Sequence, residues 1–160
     1  MVMDIITKFN SLHSQVSTSD TEHAKRMCQN VGLKFLGIGL TRMAVLHDNN
    51  CYKFAYTLNK SDNRAELEVA NLLKGTEFAK YFALPIKKIN DYILHVEFVS
   101  GVRCADIGRD NHRYANCMNK AVEIRDKVSD RLGFTIYDLH DYNVMVTDSD
   151  EVKIVDFACL

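Results

Sequence analysis

The sequence lacks the patterns that mark several specialised classes of protein. It has no C-x-x-C pair, no internal repeat, no low-complexity segment and no apolar run as long as a membrane span. Its net charge is −1 and its basic residues are scattered, so nothing indicates a general nucleic-acid or membrane-surface binder. Without metal-ligand spacing, the five cysteines are predicted to be free thiols in a reducing cytosol. They are Cys28, Cys51, Cys104, Cys117 and Cys159.

The N-terminus has little of what a secretory signal needs. Asp4 precedes only a short apolar pair, Ile5 and Ile6, and a basic start and a long apolar core are missing. We therefore expect a cytoplasmic protein. A chain of 160 residues, 47% of them apolar, is expected to form one domain, or two small lobes, with a packed core.

Two short helices are predicted before residue 32. Apolar residues at helical spacing favour a first helix over Asp4–Val16. Ser19 and Glu22 form a capping-box pattern, which predicts a second helix over about Asp20–Gln29. Both helices are expected to pack on the core of the protein.

Residues 33–99 carry the pattern of an antiparallel sheet with one helix. Pro85 indicates that its strand is irregular or lies at an edge, because proline cannot donate a hydrogen bond to a neighbouring strand. Gly75 closes the helix. The predicted elements are strands within Leu33–Leu46, Cys51–Ala55, Phe82–Asn90 and Tyr92–Val99, and a helix at Asp62–Lys74.

A long helix and a β-hairpin are predicted in the last third of the chain. The amphipathic helix covers Arg113–Leu132 and ends at Gly133. Two runs rich in β-branched residues, Val144–Val146 and Val152–Val155, are separated by a polar turn and predict the hairpin.

Three oxygen-bearing side chains lie at one end of this hairpin. Asn143 precedes its first strand, Asp156 follows its second strand, and Asp138 lies on the loop beside them. Converging carboxylate and amide oxygens suit Mg²⁺, which also binds phosphate oxygens.

The string D-L-H-x-x-N-V-M-V, followed by I-V-D-F, resembles the catalytic loop and metal-binding segment of the protein-kinase superfamily. Gly37 and Gly39 open a segment that resembles the kinase glycine-rich loop, with Arg42 in place of the third glycine. Val96–Val99 resembles the hinge between the two kinase lobes. The resemblance covers about residues 33–157.

This resemblance implies catalytic and metal-binding roles for five residues. Asp138 would accept the proton of the attacking hydroxyl, and Asn143 and Asp156 would hold Mg²⁺. Lys53 would hold the α- and β-phosphates of ATP and pair with a helix glutamate. Glu66 is favoured over Glu68 for that pair, because Glu66 lies on the apolar face of its helix and needs a partner once buried.

The remaining implied roles concern the nucleotide. Gly37 and Gly39 would let the backbone approach its phosphates. The main chain of Glu97 and Val99 would hold adenine, Val96 would occupy the gatekeeper position, and Met145 would lie under the base.

Several positions depart from the kinase pattern. Tyr137 stands where many protein kinases have arginine, so regulation by an activation-loop phosphate is not expected. His140 replaces a common lysine, and Asp-Leu-His is also similar to the loop of aminoglycoside phosphotransferases. Ala158 replaces the glycine of D-F-G, and an activation segment is missing before the chain ends at Leu160. The expected relatives are the small kinases of bacteria and bacteriophages, which would act in a host cytoplasm.

The resemblance implies an α+β, protein-kinase-like fold in three parts. These are a helical extension at 1–32, a five-stranded antiparallel N-lobe with one helix at 33–99, and a reduced, mostly helical C-lobe at 100–160. The implied activity is that of a minimal Ser/Thr protein kinase that uses ATP and Mg²⁺ and acts on a host or partner protein. The alternatives are a pseudokinase-like module that binds and blocks a partner and a small-molecule phosphotransferase.

The long helix also predicts an interaction surface. The apolar residues on one face of this helix, its apolar stripe, need to be buried, and the β-hairpin is expected to bury only some of them. We therefore expect an exposed apolar face on the C-lobe that forms a homodimer or binds a partner. The stripe consists of Tyr114, Met118, Ala121, Val128 and Leu132.

Overall fold

The computed structural model describes residues 2–16 and 20–157, with side chains described from Asp4 onward. Over these residues the chain forms an α+β fold of five α-helices and two antiparallel sheets, one with five strands and one with three. The predicted α+β class is therefore confirmed. No helix in this described part of the chain is long and apolar enough to cross a membrane.

The chain divides into two compact units. The first contains Met1–Arg64 and Pro85–Glu97, and the second contains Ala65–Leu84 and Phe98–Leu160. These bounds differ from the predicted three parts. Residues 1–32 belong to the same unit as the five-stranded sheet, and residues 65–84 belong to the second unit.

The five-stranded sheet forms the body of the first unit. Asp48 and Asn49 make a two-residue turn with φ of 49° and 63°, a left-handed conformation that Asp and Asn tolerate better than most residues. Pro85 lies on an edge strand with register shifts, as predicted. In the order β1-β2-β3-β5-β4, the strands are β1 Lys34–Ile38, β2 Met43–His47, β3 Asn50–Phe54, β5 Ile93–Val96 and β4 Pro85–Asn90.

Two helices complete the first unit, α1 at Val2–Leu12 and α2 at Thr21–Asn30. Helix α1 buries Phe9 in the core of the sheet, where its ring lies edge-on to Phe54 at 5.2 Å. It ends before the predicted Val16. Helix α2 is capped by Asp20, whose side chain accepts a hydrogen bond from the His23 amide at 2.9 Å. The predicted cap, Ser19, lies outside the described residues.

The second unit is built around helix α5 and the three-stranded sheet β6-β7-β8. The predicted hairpin is confirmed as β7–β8, but β6 was not predicted from the sequence. Gly101 in β6 must be glycine, because a Cβ there would lie 2.1 Å from the Val146 carbonyl oxygen. Helix α3, Ser61–Leu73, contributes its first four residues to the first unit and the rest to the second. The other elements of the second unit are a 3₁₀ helix at Ala79–Tyr81, β6 Gly101–Arg103, α4 Cys104–Ile107, α5 His112–Leu132, β7 Val144–Thr147 and β8 Val152–Ile154.

No residue of the apolar stripe of α5 is fully exposed, which differs from the predicted uncovered face, but Tyr114, Met118 and Leu132 are only partly buried. Binding of a second copy or of a partner at this face stays a prediction. Ala121 and Val128 are fully buried, and Met118 is partly buried. The cover comes partly from the hairpin and partly from Phe78 and Phe82, which follow α3 and join the same apolar cluster. The helix ends where predicted, because Gly133 adopts the left-handed conformation and its amide donates to the Ser129 carbonyl.

The four described cysteines form no disulfide bond, as expected for thiols in the reduced state, and all four are buried. Cys28 and Cys51 lie in the first unit, and Cys104 and Cys117 lie in the second. Burial raises the pKa of Cys28 to about 11 and that of Cys117 to about 12, because the thiolate loses its hydration. Cys159 lies outside the described residues.

Candidate functional site

The loop before β7 is held together by the side chain of Asn143, which is only 8% exposed. Its Nδ2 donates to the Asp138 carbonyl oxygen at 3.0 Å and lies 3.4 Å from Asp138 Oδ2. The main-chain N–H of Asn143 donates to the His140 carbonyl oxygen at 2.9 Å, and this hydrogen bond closes a tight turn. The structure therefore brings Asp138 and Asn143 together at the mouth of the hairpin, and Asn143 fixes the backbone that carries the exposed Asp138 carboxylate.

His140 makes a third contact in this loop. Its Nε2 lies 3.1 Å from Asn143 Nδ2 and 3.4 Å from Asp138 Oδ1. A neutral ring can accept from the amide of Asn143, whereas a protonated ring can donate to the carboxylate of Asp138. The imidazole thus contacts the side chains of both Asn143 and Asp138.

Asp156 follows the second strand of the hairpin. Val144 on β7 pairs with Ile154 on β8, and the main-chain N–H of Val155 donates to the Asn143 carbonyl at 2.9 Å. Val155 therefore lies opposite Asn143, and Asp156 is the next residue along the chain. Phe157 is fully buried and packs edge-on against Phe82 at 5.3 Å. This packing fixes the end of the strand, and hence the backbone of Asp156.

The donor set at the hairpin mouth fits Mg²⁺ in its chemistry. Asn143 uses its Nδ2 within the loop, so its amide oxygen is the atom suited to a cation, and Asp156 supplies a carboxylate. Mg²⁺ takes hard oxygen ligands and commonly uses one or two protein groups together with substrate phosphates and water. Among the described residues there is no cluster of three or more His, Cys, Asp or Glu side chains of the kind that forms an all-protein cage.

Asp141 ties this loop to the two helices beside it. Its carbonyl accepts from the Ala105 amide of α4 at 3.0 Å, and its Oδ2 accepts from the Tyr114 hydroxyl of α5 at 3.0 Å. This hydrogen bond to a carboxylate raises the pKa of Tyr114, because it favours the protonated phenol. Sequence reasoning missed Asp141, and its position next to His140 is the only signal that could have found it.

The glycine-rich segment of the first unit forms a pinned turn after β1. The Gly39 amide donates to the Arg42 carbonyl at 2.8 Å. The hydroxyl of Tyr56 donates to the carbonyls of Gly39 and Leu40, at 2.6 and 3.0 Å. Thr41 donates to the carboxylate of Asp62 at the start of α3. Hydrogen bonds of the Tyr56, Thr41 and Thr57 side chains thus hold the turn. Sequence reasoning assigned no role in it to Tyr56 or Asp62.

The fold itself does not require glycine at these two positions. A Cβ at Gly37 would meet nothing within 4 Å, and one at Gly39 would lie 3.8 Å from its nearest neighbour. Neither residue has positive φ. The packing and backbone conformation of the fold therefore do not explain why these two residues are glycine.

Arg42, at the position of the missing third glycine, is buried. It is 8% exposed, and its Nη1 donates to Asn63 Oδ1 at 3.3 Å. The guanidinium is thus used to join the turn to α3 within the first unit. The Arg42 side chain is thus packed inside the first unit and hydrogen-bonded to Asn63.

Removing the Tyr56 hydroxyl should loosen this turn. We expect Tyr56→Phe to lower the free energy of unfolding of the first unit by about 0.5–1.5 kcal/mol, since the hydrogen bond that the hydroxyl shares between two carbonyl oxygens is lost. Hydrogen exchange at Gly39 and Arg42 should accelerate. Tyr137→Phe is the matched control, because that side chain is 73% exposed and should change neither quantity. Equal exchange rates in both variants would contradict the pinning role.

Strand register places three of the predicted nucleotide residues on one face of the sheet. Gly37 pairs with Ala44, Ala44 pairs with Lys53, and Lys53 pairs with Leu94. Residues directly opposite each other on neighbouring strands point to the same side. Val96 lies two residues beyond Leu94 and shares this face. The half-buried Lys53 therefore lies in a row with a glycine and an alanine, which leave space beside its side chain.

The two candidate glutamates of α3 differ sharply in exposure. Glu66 is fully buried, whereas Glu68 is exposed. A buried carboxylate is stable only when it is paired or hydrogen-bonded. The pairing of Lys53 with Glu66 stays a prediction.

The predicted adenine contacts lie on short extended segments. Val96 ends β5 and is 2% exposed, Glu97 follows it half-buried, and Val99 is 8% exposed. Met145 is half-buried on β7, paired with Arg103 on β6. Their roles toward a nucleotide also stay predictions.

Comparison of the sequence with protein-family models and with curated proteins gives no match. The functional interpretation therefore depends on the residues and the geometry described above.

Proposed function

We propose that this chain is an ATP- and Mg²⁺-dependent phosphotransferase, acting as a minimal Ser/Thr protein kinase on a partner protein. The main support is the loop in which Asn143 fixes Asp138 at the mouth of a hairpin that ends in Asp156. Phosphoryl transfer needs little covalent chemistry from a protein. It needs a positioned base and oxygen ligands for metal-bound phosphate, and this loop offers both.

Asp138 acts as the proton acceptor in this proposal. As the hydroxyl oxygen of the acceptor bonds to the γ-phosphorus, the bond from that phosphorus to the bridging oxygen of ADP breaks. The hydroxyl proton moves to the Asp138 carboxylate. The bond from Asn143 to the Asp138 carbonyl holds the base in place.

Asn143 and Asp156 would hold Mg²⁺. Mg²⁺ held there would supply positive charge against the negative charge of the phosphates. The chain's own contribution is to keep these two side chains at adjacent strand ends. The hairpin ladder and the packing of Phe157 on Phe82 support that placement.

The remaining candidate residues would bind the nucleotide. Lys53 would contact the α- and β-phosphates, and Glu66 would pair with Lys53 and orient it. Gly37 and Gly39 have no side chains, so the phosphates could approach the main chain there closely. Support comes from the row of small residues beside Lys53 and from glycines that the fold itself does not need. The main chain of Glu97 and Val99, with Val96 and Met145, would bind adenine.

Two exposed aromatic side chains favour a protein over a small molecule as the acceptor. Tyr137 is 73% exposed and Tyr142 is 58% exposed, and they flank the loop on both sides of Asp138. Arg103 lies over the Tyr142 ring at 5.5 Å. Tyrosine and arginine are enriched where proteins bind one another.

Phosphoryl transfer from labelled ATP tests the proposal directly. The protein is incubated with Mg²⁺ and with a mixture of peptides that contain Ser or Thr, and label on the peptides or on the protein itself is measured. Incorporation on Ser or Thr supports a protein kinase. Nucleotide binding without any transfer would favour the alternative, a module that binds and blocks a partner.

A second test concerns the metal. We expect ATP with Mg²⁺ or Mn²⁺ to raise the melting temperature by roughly 5–10 °C at about 100 times Kd, since binding to the folded state adds about 2.7 kcal/mol. The rise should vanish in EDTA and in Asp156→Asn, but persist in Asp110→Asn, a control on an exposed residue. Equal rises with and without EDTA would count against Asn143 and Asp156 as ligands.

A further inference from the structure

The second unit contains a groove that the proposed transfer reaction does not use. Its volume is about 690 Å³, and it is lined by the 3₁₀ helix Ala79–Tyr81, the first half of α5 and the turn between β7 and β8. It contains none of the residues assigned above to nucleotide, metal or base. Seven of its eleven lining side chains are polar or charged, whereas Cys117, Val146 and Val152 are apolar. The polar groups can recognise an occupant by charge and hydrogen bonding.

Two lysines converge on one aromatic ring in this groove. Lys80 Nζ lies 5.1 Å from the centre of the Tyr81 ring, and Lys120 Nζ lies 5.5 Å from it. The ring face attracts both cations, which offsets part of their mutual repulsion. Both ammonium groups thus lie beside the same aromatic ring of the groove wall.

These two charges are poorly compensated. Within residues 4–16 and 20–157, Lys80 forms no ion pair, and Lys120 has Glu123 at 3.6 Å. The same Glu123 oxygen lies closer to Lys127, at 2.6 Å. One shared carboxylate therefore serves Lys120 and Lys127 together. An anionic group placed beside Lys80 and Lys120 would be attracted by both.

The other charged residues limit the class of anion. Arg113 contacts Asp150 through Nε at 2.9 Å and through Nη2 at 2.7 Å, so those two charges neutralise each other. Glu151 on the same turn is exposed and negative. A long polyanion such as a nucleic acid would meet this carboxylate and would find no continuous basic surface. A short segment whose negative charges are separated can be bound without placing a negative charge beside the Glu151 carboxylate.

The spacing of donors along α5 indicates an extended peptide. His112, Asn116 and Lys120 line the groove at successive turns of the helix, about 6 Å apart along its axis. Alternate side chains of an extended chain repeat at about 6.6 Å, which nearly matches. His112 lies in the first turn of α5, where the helix dipole also favours a carboxylate.

We propose that this groove binds an extended acidic segment of another protein, with two acidic side chains four residues apart. One carboxylate is held by Lys80 and Lys120 against Tyr81, and the other by His112 at the start of α5. A polar side chain between them faces Asn116. This proposal does not depend on the transfer reaction, and either one can fail alone.

Fluorescence anisotropy with a labelled ten-residue peptide tests the groove. The probe carries glutamate at positions 3 and 7, glutamine at 5, and serine or alanine elsewhere. We expect saturable binding at low salt with a Kd below about 1 mM. Binding should weaken at least tenfold when both glutamates are replaced by glutamine, and several-fold when they are moved to adjacent positions. No saturable binding, or equal binding of the rearranged peptide, would overturn the proposal.

Matched variants locate the site. Lys80→Gln and Lys120→Gln should each weaken binding several-fold, and the double variant should do so at least tenfold. Lys25→Gln on α2, an exposed lysine in the other unit, should leave it unchanged. Identical affinities of the double variant and this control would refute the assignment, as would displacement of the peptide by citrate at equal concentration.

Cross-linking provides a test that needs no variant. Carbodiimide treatment of the wild-type protein with the probe should join its glutamates to Lys80 or Lys120. Cross-links spread evenly over the other lysines would overturn the proposal, because an exposed ammonium elsewhere would then serve equally well.

Discussion

Replacing Asp138 with asparagine is expected to lower phosphoryl transfer about 10²–10⁴-fold, the usual contribution of a positioned general base. Asparagine keeps the size of the side chain but cannot take up the hydroxyl proton. The main-chain bond from Asn143 to residue 138 does not involve the carboxylate, so the loop should keep its shape. Initial rates with labelled ATP at saturating Mg²⁺ measure the effect.

The matched control is Asp130→Asn, the same change at an exposed position on α5. Its rate should equal that of the wild type. Nucleotide affinity should be close to normal in both variants, because Asp138 acts on the acceptor and not on the nucleotide. A rate for Asp138→Asn within threefold of the control would remove Asp138 from the role of base. Loss of nucleotide binding in Asp138→Asn would indicate a collapsed loop instead.

The largest effect on stability is expected from Phe82→Ala, about 3–5 kcal/mol. Phe82 is fully buried, packs edge-on against Phe157 at 5.3 Å, and forms a bridge to Ile154 on β8. Truncation removes apolar area and leaves a cavity beside the strand that ends in Asp156. Protection of the Val152–Ile154 amides from hydrogen exchange should fall by about 10²-fold or more, since each 1.4 kcal/mol is a factor of ten.

Phe98→Ala serves as the control for this prediction. Phe98 belongs to the same unit but is 46% exposed, so its truncation should cost much less and leave exchange at β8 nearly unchanged. Similar losses of protection in both variants would mean that Phe82 has no special role in supporting the hairpin.

The hairpin and the long helix could be predicted because their signals are local. Two β-branched runs around a polar turn predict β7 and β8, and Gly133 predicts the end of α5 through its left-handed conformation. Asp138 and Asn143 share one loop of six residues, so their proximity also follows from short sequence spacing. Each of these features needs only the properties of neighbouring residues.

The features that could not be predicted depend on distant partners. The cover of α5 includes Phe78 and Phe82, which lie in an irregular segment with no helical or strand periodicity. Strand β6 has three exposed residues, too few for an alternating pattern. The bond from Arg42 to Asn63 joins residues 21 apart, and an arginine after a glycine turn gives no sign that it will be buried.

The distribution of cysteines gives each unit its own chemical reporter. The four described thiols are buried, two in each unit. A thiol reagent can therefore react with them only after local or global unfolding exposes them. Burial also suppresses the reactive thiolate of Cys28 and Cys117, so the native state is doubly protected at these positions. The rate of alkylation of Cys28 and Cys51 thus reports the rate of unfolding of the first unit. The rate of alkylation of Cys104 and Cys117 reports that of the second. Comparing the two rates shows whether the units unfold together or one after the other.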